Sequence, residues 1–350
     1  DIKFTEQPKL AIGLISALVV ALPQQVLAQE EAIEEIVTTG TRAQSRSVED
    51  SPAPVDVLSG EYFTNQGDTD LQNLVRNIVP SYNVNVQPIS DAATVVRPAN
   101  LRGLAPDHTL VLINGKRRHR AAVIYWLGNG VANGAQGPDI SMIPSIALKQ
   151  VEVLRDGAAA QYGSDAIAGV MNFILKDDPD GLTVEGKWGQ YQEGDGDKYS
   201  VAANLGLPLT DAGYANFSFE YGESDPTSRS VQRDDAAALI AAGNTNVANP
   251  AQVWGSPLIE DDIKFWGNLG LDLGNGNFAY AFGNHSEKFV DGGFYFRNPN
   301  TRSAVFSGDD GATLLIGDLQ LAEGGAPAGC PVVPITNNIP DPTALPEVFP

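Results

Sequence analysis

The residues best able to do chemistry sit in one short run, Lys116-Arg117-Arg118-His119-Arg120, with Tyr125 and Trp126 close behind. The chain holds 22 Lys and Arg against 43 Asp and Glu, a net charge of −21, so a cluster of cations is exceptional here. Such a run either attracts an anionic ligand or stands as a solvated hairpin tip. With aromatics beside it, Arg117, Arg118, His119, Arg120, Tyr125 and Trp126 form the candidate ligand-facing set. Overall acidity argues against a nucleic-acid partner, which needs a broad basic surface.

Other chemistry is excluded by its missing parts. There is no Walker A sequence, no G-x-S-x-G elbow and no H-E-x-x-H. Gly128-Asn129-Gly130 lacks the third glycine and the strand-to-helix setting of a dinucleotide loop. Three histidines and a single cysteine, Cys330, leave no metal centre to build. Glu193, Asp195 and Asp197 are not in the order of an EF-hand loop and read as a solvated tip. No enzyme, catalytic residue, metal or cofactor is expected. Cys330 in an exported chain implies a disulfide partner after Pro350, or else a buried unpaired thiol.

The elements that position the basic run divide the chain. Lys3 and Lys9 precede the apolar run Leu10–Leu22, and Val26-Leu27-Ala28 follows. This reads as a signal peptide over residues 1–28, because the run is too short to span about 30 Å of hydrocarbon. Residues 29–50 form a polar tail holding one β-branched island, Ile36-Val37-Thr38-Thr39 before Gly40. An extended island of this kind can add to another protein's sheet edge. Residues 51–177 read as an α+β domain. Leu71, Leu74, Val75 and Ile78 have helical spacing, with Asp68 or Thr69 as cap. Val55–Val57, Leu110–Ile113, Gln150–Leu154 and Gly169–Leu175 are its strands, and Asn114-Gly115 is a type I′ hairpin turn. The Gly/Asn stretch 128–137 reads as a mobile or ligand-facing loop.

From residue 182 the period changes to 2. Five segments alternate, at 182–192, 198–208, 214–222, 263–273 and 277–285. Their length of about ten residues suits a membrane barrel better than a soluble sheet. Tyr191, Tyr199, Tyr214 and Tyr221 lie near strand ends, as in an interfacial girdle. Short turns at 209–213 and 274–276 alternate with long connections at 223–261 and after 286, which places the short turns in the periplasm. Five strands cannot close a barrel, so 182–350 is expected to be a partial one, completed beyond Pro350.

Three stretches then carry a family resemblance. Glu35 to Arg42 (EIVTTGTR) resembles the TonB box of TonB-dependent outer-membrane receptors. Leu101-Arg102-Gly103-Leu104 with Leu110 to Arg117 (LVLINGKR) is similar to the core of their plug domain. Ile146 to Lys176 is similar to the plug's last segment, ending where the barrel begins. Gly292 to Pro299 also looks like an external-loop motif of larger members. The resemblance implies TonB contacts at Ile36, Val37, Thr38, Thr39 and Gly40. It implies plug-motif roles for Arg102, Gly103, Asn114, Gly115, Glu152, Arg155, Asp156, Gly157, Gly163 and Gly169. Arg102, Glu152 and Arg155 would pair with each other, pair with the barrel wall, or remain surface charges. The basic run would meet acidic wall residues as a further alternative. The implied partners are TonB with its inner-membrane energising complex, outer-membrane lipid and a small nutrient ligand. The implied activity is uptake of an iron-siderophore, haem, cobalamin or oligosaccharide. A signalling receptor is the alternative, disfavoured because only 29–34 stand between the signal and the box.

Overall fold

The computed structural model describes residues 55–298 apart from 85–86, 98, 126–129, 156–157, 242–246, 294 and 297. By backbone alone it adds strand pieces at Ile36–Val37, Arg46–Ser47, Thr313–Leu315, Val332–Thr336 and Ile339–Pro340. The signal segment, Thr38, Thr39, Gly40, Trp126, Asp156, Gly157 and Cys330 lie outside the described residues.

Ile36–Val37 (β1) pairs antiparallel with Arg46–Ser47 (β2). The α+β part follows in chain order as β3 (Val55–Ser59), α1 (Gly60–Thr64), α2 (Leu71–Ile78), β4 (Tyr82–Val84), α3 (Asp91–Val95) and β5 (Ala99–Leu101). It continues with β6 (Thr109–Ile113), β7 (Lys116–Arg117), β8 (Leu148–Leu154), α4 (Ala159–Tyr162) and β9 (Gly169–Leu175). Its main sheet has the order β3-β8-β9-β6-β7, with β6 and β9 parallel and the other neighbours antiparallel. Both faces of that sheet are covered. Val111, Ile113, Val151, Val153, Met171 and Phe173 pack toward α1 and α2. Leu110, Leu112 and Val170 form a second cluster with Val55, Ala158 and Ala166. A central strand buried on both faces has no polar side, which explains the unbroken apolar run in β6.

Helix α2 starts one residue later than spacing suggested. Asp70, not Asp68 or Thr69, is the cap, and its side chain accepts from the amides of Gln72 (2.8 Å) and Asn73 (3.3 Å). Asp68 instead shapes the turn before it, accepting from the amides of Thr69 and Asp70. Asp70 also takes the guanidinium of Arg97. Burial pushes its carboxyl up, but the Arg97 charge and hydrogen bond outweigh burial and hold it below the usual value.

The remaining strands form one antiparallel meander: β10 (Leu182–Gly189), β11 (Lys198–Thr210), β12 (Gly213–Ser224), β13 (Leu258–Gly274) and β14 (Asn277–Asp291). One face carries Val201, Leu205, Leu207, Phe219 and Phe265, all well exposed. The other carries Ser200, Asn204, Asn216, Ser218, Glu220, Lys264 and Asn268, all buried. This is the apolar-out, polar-in alternation of a transmembrane barrel wall, and the wall is unclosed over these strands. Asn275 and Gly276, at φ 55° and 78°, make the two-residue turn between β13 and β14.

Two features depart from the sequence reading. β13 and β14 run past 263 and 285 because Leu258, Ile259 and Glu260 pair with Asp291, Val290 and Phe289. Backbone pairing continues there although the side chains no longer alternate. The connection 225–257 also contains a helix, α5 (Asp234–Ala241), that no expectation included.

Asp70 makes a prediction about α2. Asp70→Ala should cost about 1–2 kcal/mol for the cap, plus the Arg97 pair, while Asp70→Asn should keep the cap and lose only the pair. A carboxyl with a depressed folded pKa adds stability above its unfolded value of about 3.9, and loses it as pH falls through the folded value. The gap between wild type and Asp70→Asn should therefore close in acid. Hydrogen exchange of the α2 amides at neutral and acid pH measures it.

Candidate functional site

The sequence motifs converge on one buried polar chain. Asn114 and Gly115 hold φ 47° and 73°, the left-handed pair of a type I′ turn. The Asn114 amide donates to the Phe173 carbonyl, and its Oδ1 accepts from the Leu175 amide at 2.9 Å. The Gly115 amide donates to Asn172 Oδ1 at 2.9 Å, and Asn172 Nδ2 donates to Glu152 at 3.3 Å. Gln150 donates to the other Glu152 oxygen at 2.9 Å. Glu152 is fully buried, so the resemblance's glutamate serves the interior of the sheet.

Arg102 and Arg155 join at a second point. Arg102 and Gly103 are also left-handed, at φ 58° and 72°. Arg102 donates from Nη1 to the Arg155 carbonyl at 2.6 Å, and Arg155 pairs with Asp56 of β3. The two arginines therefore meet through a backbone carbonyl. Gly163 closes α4 at φ 90°. Gly169 has φ 144°, and a Cβ there would lie 2.4 Å from the Leu154 carbonyl oxygen.

Of the candidate ligand-facing residues, Arg117, Arg118, His119 and Arg120 line one pocket with Asp107, Gln136 and Asp165, and Tyr125 is buried apart from them. Arg117 pairs with Asp165, and Arg120 stands 4.0 Å from Asp107. Arg118 reaches the wall, and its charge, with some burial, holds the His119 imidazole below its ordinary pKa. Tyr125 is buried with Ala93, Val96, Ala132 and Ala135. The stretch after it is tied down as well: the Gln136 amide donates to Asp107 and its side chain to the Ala121 carbonyl. Tyr125 thus lies in an apolar cluster, and Gln136 is held in place beside the pocket that the arginines line.

Where the α+β part meets the wall, the contacts are mostly hydrogen bonds, beside an ion pair between Lys198 of β11 and Asp68 at 3.6 Å. Asn268 is the centre: it accepts from Asn114 Nδ2 at 3.1 Å and donates to the Lys176 carbonyl at 2.9 Å. Trp266 donates from its indole nitrogen to the Met142 carbonyl at 2.8 Å, and Lys288 donates to Ser141 at 2.9 Å. Lys187 reaches the Asp68 carbonyl at 3.3 Å. Trp266 joins the core cluster of the α+β part, with Phe282 packed against it. The wall's own buried charges are self-paired, Lys264 with Glu220 at 2.6 Å and Asp262 at 3.2 Å.

At the long-loop end, Arg229 occupies both Asp195 oxygens, at 2.6 and 2.8 Å, and reaches Glu193 at 3.3 Å. That hydrogen bonding holds the Asp195 carboxyl below its ordinary value. Gly293 forms a bridge with Ile89, and Asn298 donates to Asp235 at 3.2 Å.

Sequence reasoning missed Trp266 and Asn268. The signal existed for both: Asn268 alternates with the apolar positions, and Trp266 is a large aromatic on that polar face. Tyr214 was read as girdle, but it pairs with Gly270 on the same face as Asn216 and Asn268, which points inward.

Residues 47–170 match the family model of the TonB-dependent Receptor Plug Domain. Over these residues the chain belongs to the TonB-dependent receptor plug family. It is 31% identical over 268 residues to the ferric enterobactin receptor PirA of Pseudomonas aeruginosa, covering 69% of this chain and 34% of that one. It is 29% identical over 190 residues to the vitamin B12 transporter BtuB of Photobacterium profundum, covering 53% of this chain and 28% of the relative. In structure it resembles the siderophore receptor PirA from Acinetobacter baumannii, with TM-score 0.50 and 21% identity over 73% of this chain and 34% of that one. A mutant ferric enterobactin receptor from Pseudomonas aeruginosa, bound to enterobactin, gives TM-score 0.51 and 19% identity over 71% and 34%. The structural likeness is one of fold. The chain spans about a third of the length of these relatives. Its α+β part is the plug, and its meander is barrel wall.

Asn268→Leu should leave the half-buried Asn114 Nδ2 and Lys176 carbonyl unpaired, at about 1 kcal/mol for each group, the low end of the cost for a stranded polar group. Asn268→Ala should cost less, since it leaves room for water. Exchange rates of the amides at 112–117 and 174–178, measured in the full-length receptor, should rise more in Asn268→Leu than in Asn268→Ala.

Proposed function

We propose that this chain serves TonB-dependent uptake of a small, scarce nutrient across the bacterial outer membrane. The observation that carries the reading is the pairing of two unlike surfaces. The wall gives an apolar face to lipid, and its polar inner face holds a plug through bonds that water can replace. A net contribution of about 0.5–1.5 kcal/mol for each such bond makes the seat specific yet reversible. A permanent structural core would be sealed with apolar surface. Relatives named for ferric enterobactin and vitamin B12 favour a metal chelate, either a siderophore complex or cobalamin, as the nutrient.

Energy must come from elsewhere, because the outer membrane holds no ATP. In this reading the tail 29–50 is periplasmic, and Ile36, Val37, Thr38, Thr39 and Gly40 offer an extended backbone to TonB and its inner-membrane complex. Tension on that segment reaches β3, an edge strand of the plug sheet with β8 as its one neighbour. The short turns then face the periplasm and the connections 190–197 and 225–257 face outward, toward the nutrient.

Replacing Ile36 and Val37 together by Pro removes backbone donors and fixes φ. In the full-length receptor, radiolabelled cobalamin or a ferric siderophore should still be captured at the cell surface, while energised uptake should fall to the level of cells lacking TonB. Uptake at the wild-type rate would remove the segment from the coupling pathway.

A further inference from the structure

The basic run has no part in the uptake reading so far, although it is the densest positive feature of a chain with net charge −21. Its geometry follows strand alternation. Arg117 turns into the plug and pairs with Asp165. Its neighbours on either side, Lys116 and Arg118, turn the other way, toward the wall. The Lys116 ammonium lies 5.4 Å from the centroid of the Tyr280 ring. The Arg118 guanidinium lies 5.4 Å from the Trp266 ring and donates to Asn284 Oδ1 at 2.9 Å.

The wall side of this contact is also ordered. In the β13–β14 ladder Trp266 stands opposite Asn284, Asn268 opposite Phe282 and Gly270 opposite Tyr280, so all six share the plug-facing side. Tyr280 and Phe282 stack at 6.5 Å with 13° between their planes. Gly270 makes the room, since a Cβ there would meet the Tyr214 ring at 2.3 Å and the Phe278 ring at 2.7 Å. The inner face of a barrel is ordinarily polar, and an aromatic row on it calls for a partner.

We propose that Lys116 and Arg118 are a latch that fastens the plug's central hairpin to this aromatic row by cation–π contact. Its release is one step of plug movement, and that movement rests on the uptake reading. Ring faces attract a cation through their quadrupole without supplying a counter-charge. The cations can therefore leave for water without stranding a buried carboxylate in the wall, as breaking an ion pair would. The contact positions the plug and touches no nutrient.

The test uses the full-length receptor in cells lacking TonB. The readout is entry of a glycopeptide antibiotic too large to pass a seated plug, normalised to receptor reaching the outer membrane. Lys116→Met with Arg118→Met keeps a flexible, unbranched apolar stem at each position and removes both charges. Leak should rise on the order of tenfold, the effect of losing two such contacts. Tyr280→Leu should raise leak by itself, Tyr280→Phe should not, and Tyr280→Leu should add little on top of Lys116→Met. Tyr280 is half exposed, so its replacement keeps the test open if the double variant fails to assemble. Unchanged leak in the Tyr280→Leu receptor, or full additivity between Lys116→Met and Tyr280→Leu, overturns the latch. Leak in these cells is independent of TonB, so the latch stands or falls separately from the outcome of the proline substitutions.

Discussion

A strand in a lipid-spanning wall has two faces, and hydrocarbon claims one of them. Everything this wall does for the plug must come from the other face, at every second residue of β10 to β14. That constraint explains why the contacts with the plug are so sparse and so regularly placed. Asn268, Trp266 and Lys264 are successive inward positions of β13, and each has a different task. Asn268 clasps the hairpin turn, Trp266 enters the plug core, and Lys264 balances Glu220 within the wall.

The plug is built with a contrast in strength. Inside it, the sheet is covered on both faces, and Gln150, Glu152 and Asn172 are hydrogen-bonded to one another and to the Gly115 amide within the plug. Toward the wall it offers single bonds from carbonyls and side chains at Met142, Ser141, Lys176 and Asp68. Burial of apolar area is cooperative and non-directional, while isolated hydrogen bonds exchange readily with water. A body that must stay folded and yet leave its seat needs this division. The exceptions are the Lys198–Asp68 ion pair and Trp266 and Phe282, wall residues packed on the plug's apolar cluster beside the cations of the central hairpin.

The self-paired charges of the wall serve the same end. A lysine as deeply buried as Lys264 needs a counter-ion at all times, because an unpaired charge in that place is very costly. If its partner were on the plug, each excursion would leave that cost behind. Glu220 sits directly opposite on the neighbouring strand, so neutralisation survives any movement of the plug.

Much of this was written in the residues themselves. Period-2 alternation revealed five wall strands and their apolar faces, since facing lipid is a requirement on each position alone. Asn114-Gly115 announced its turn, because only such residues accept two successive left-handed conformations. Helix α2 was legible from its apolar spacing, though its cap was placed early because three candidates, Asp68, Thr69 and Asp70, stand in a row. Tertiary structure alone decided what each inward side chain meets. Lys116 and Arg118 read as a site for an anion or an acid, and they lie on aromatic rings. Tyr125 read as ligand-facing, and it packs against Ala132 and Ala135. The physical reason is that exposure to lipid or water is a property of one residue in its strand. A contact between plug and wall joins positions far apart in the chain, 92 residues for Lys176 and Asn268 and 154 for Asn114 and Asn268, and their pairing exists only once two separate sheets have been brought face to face.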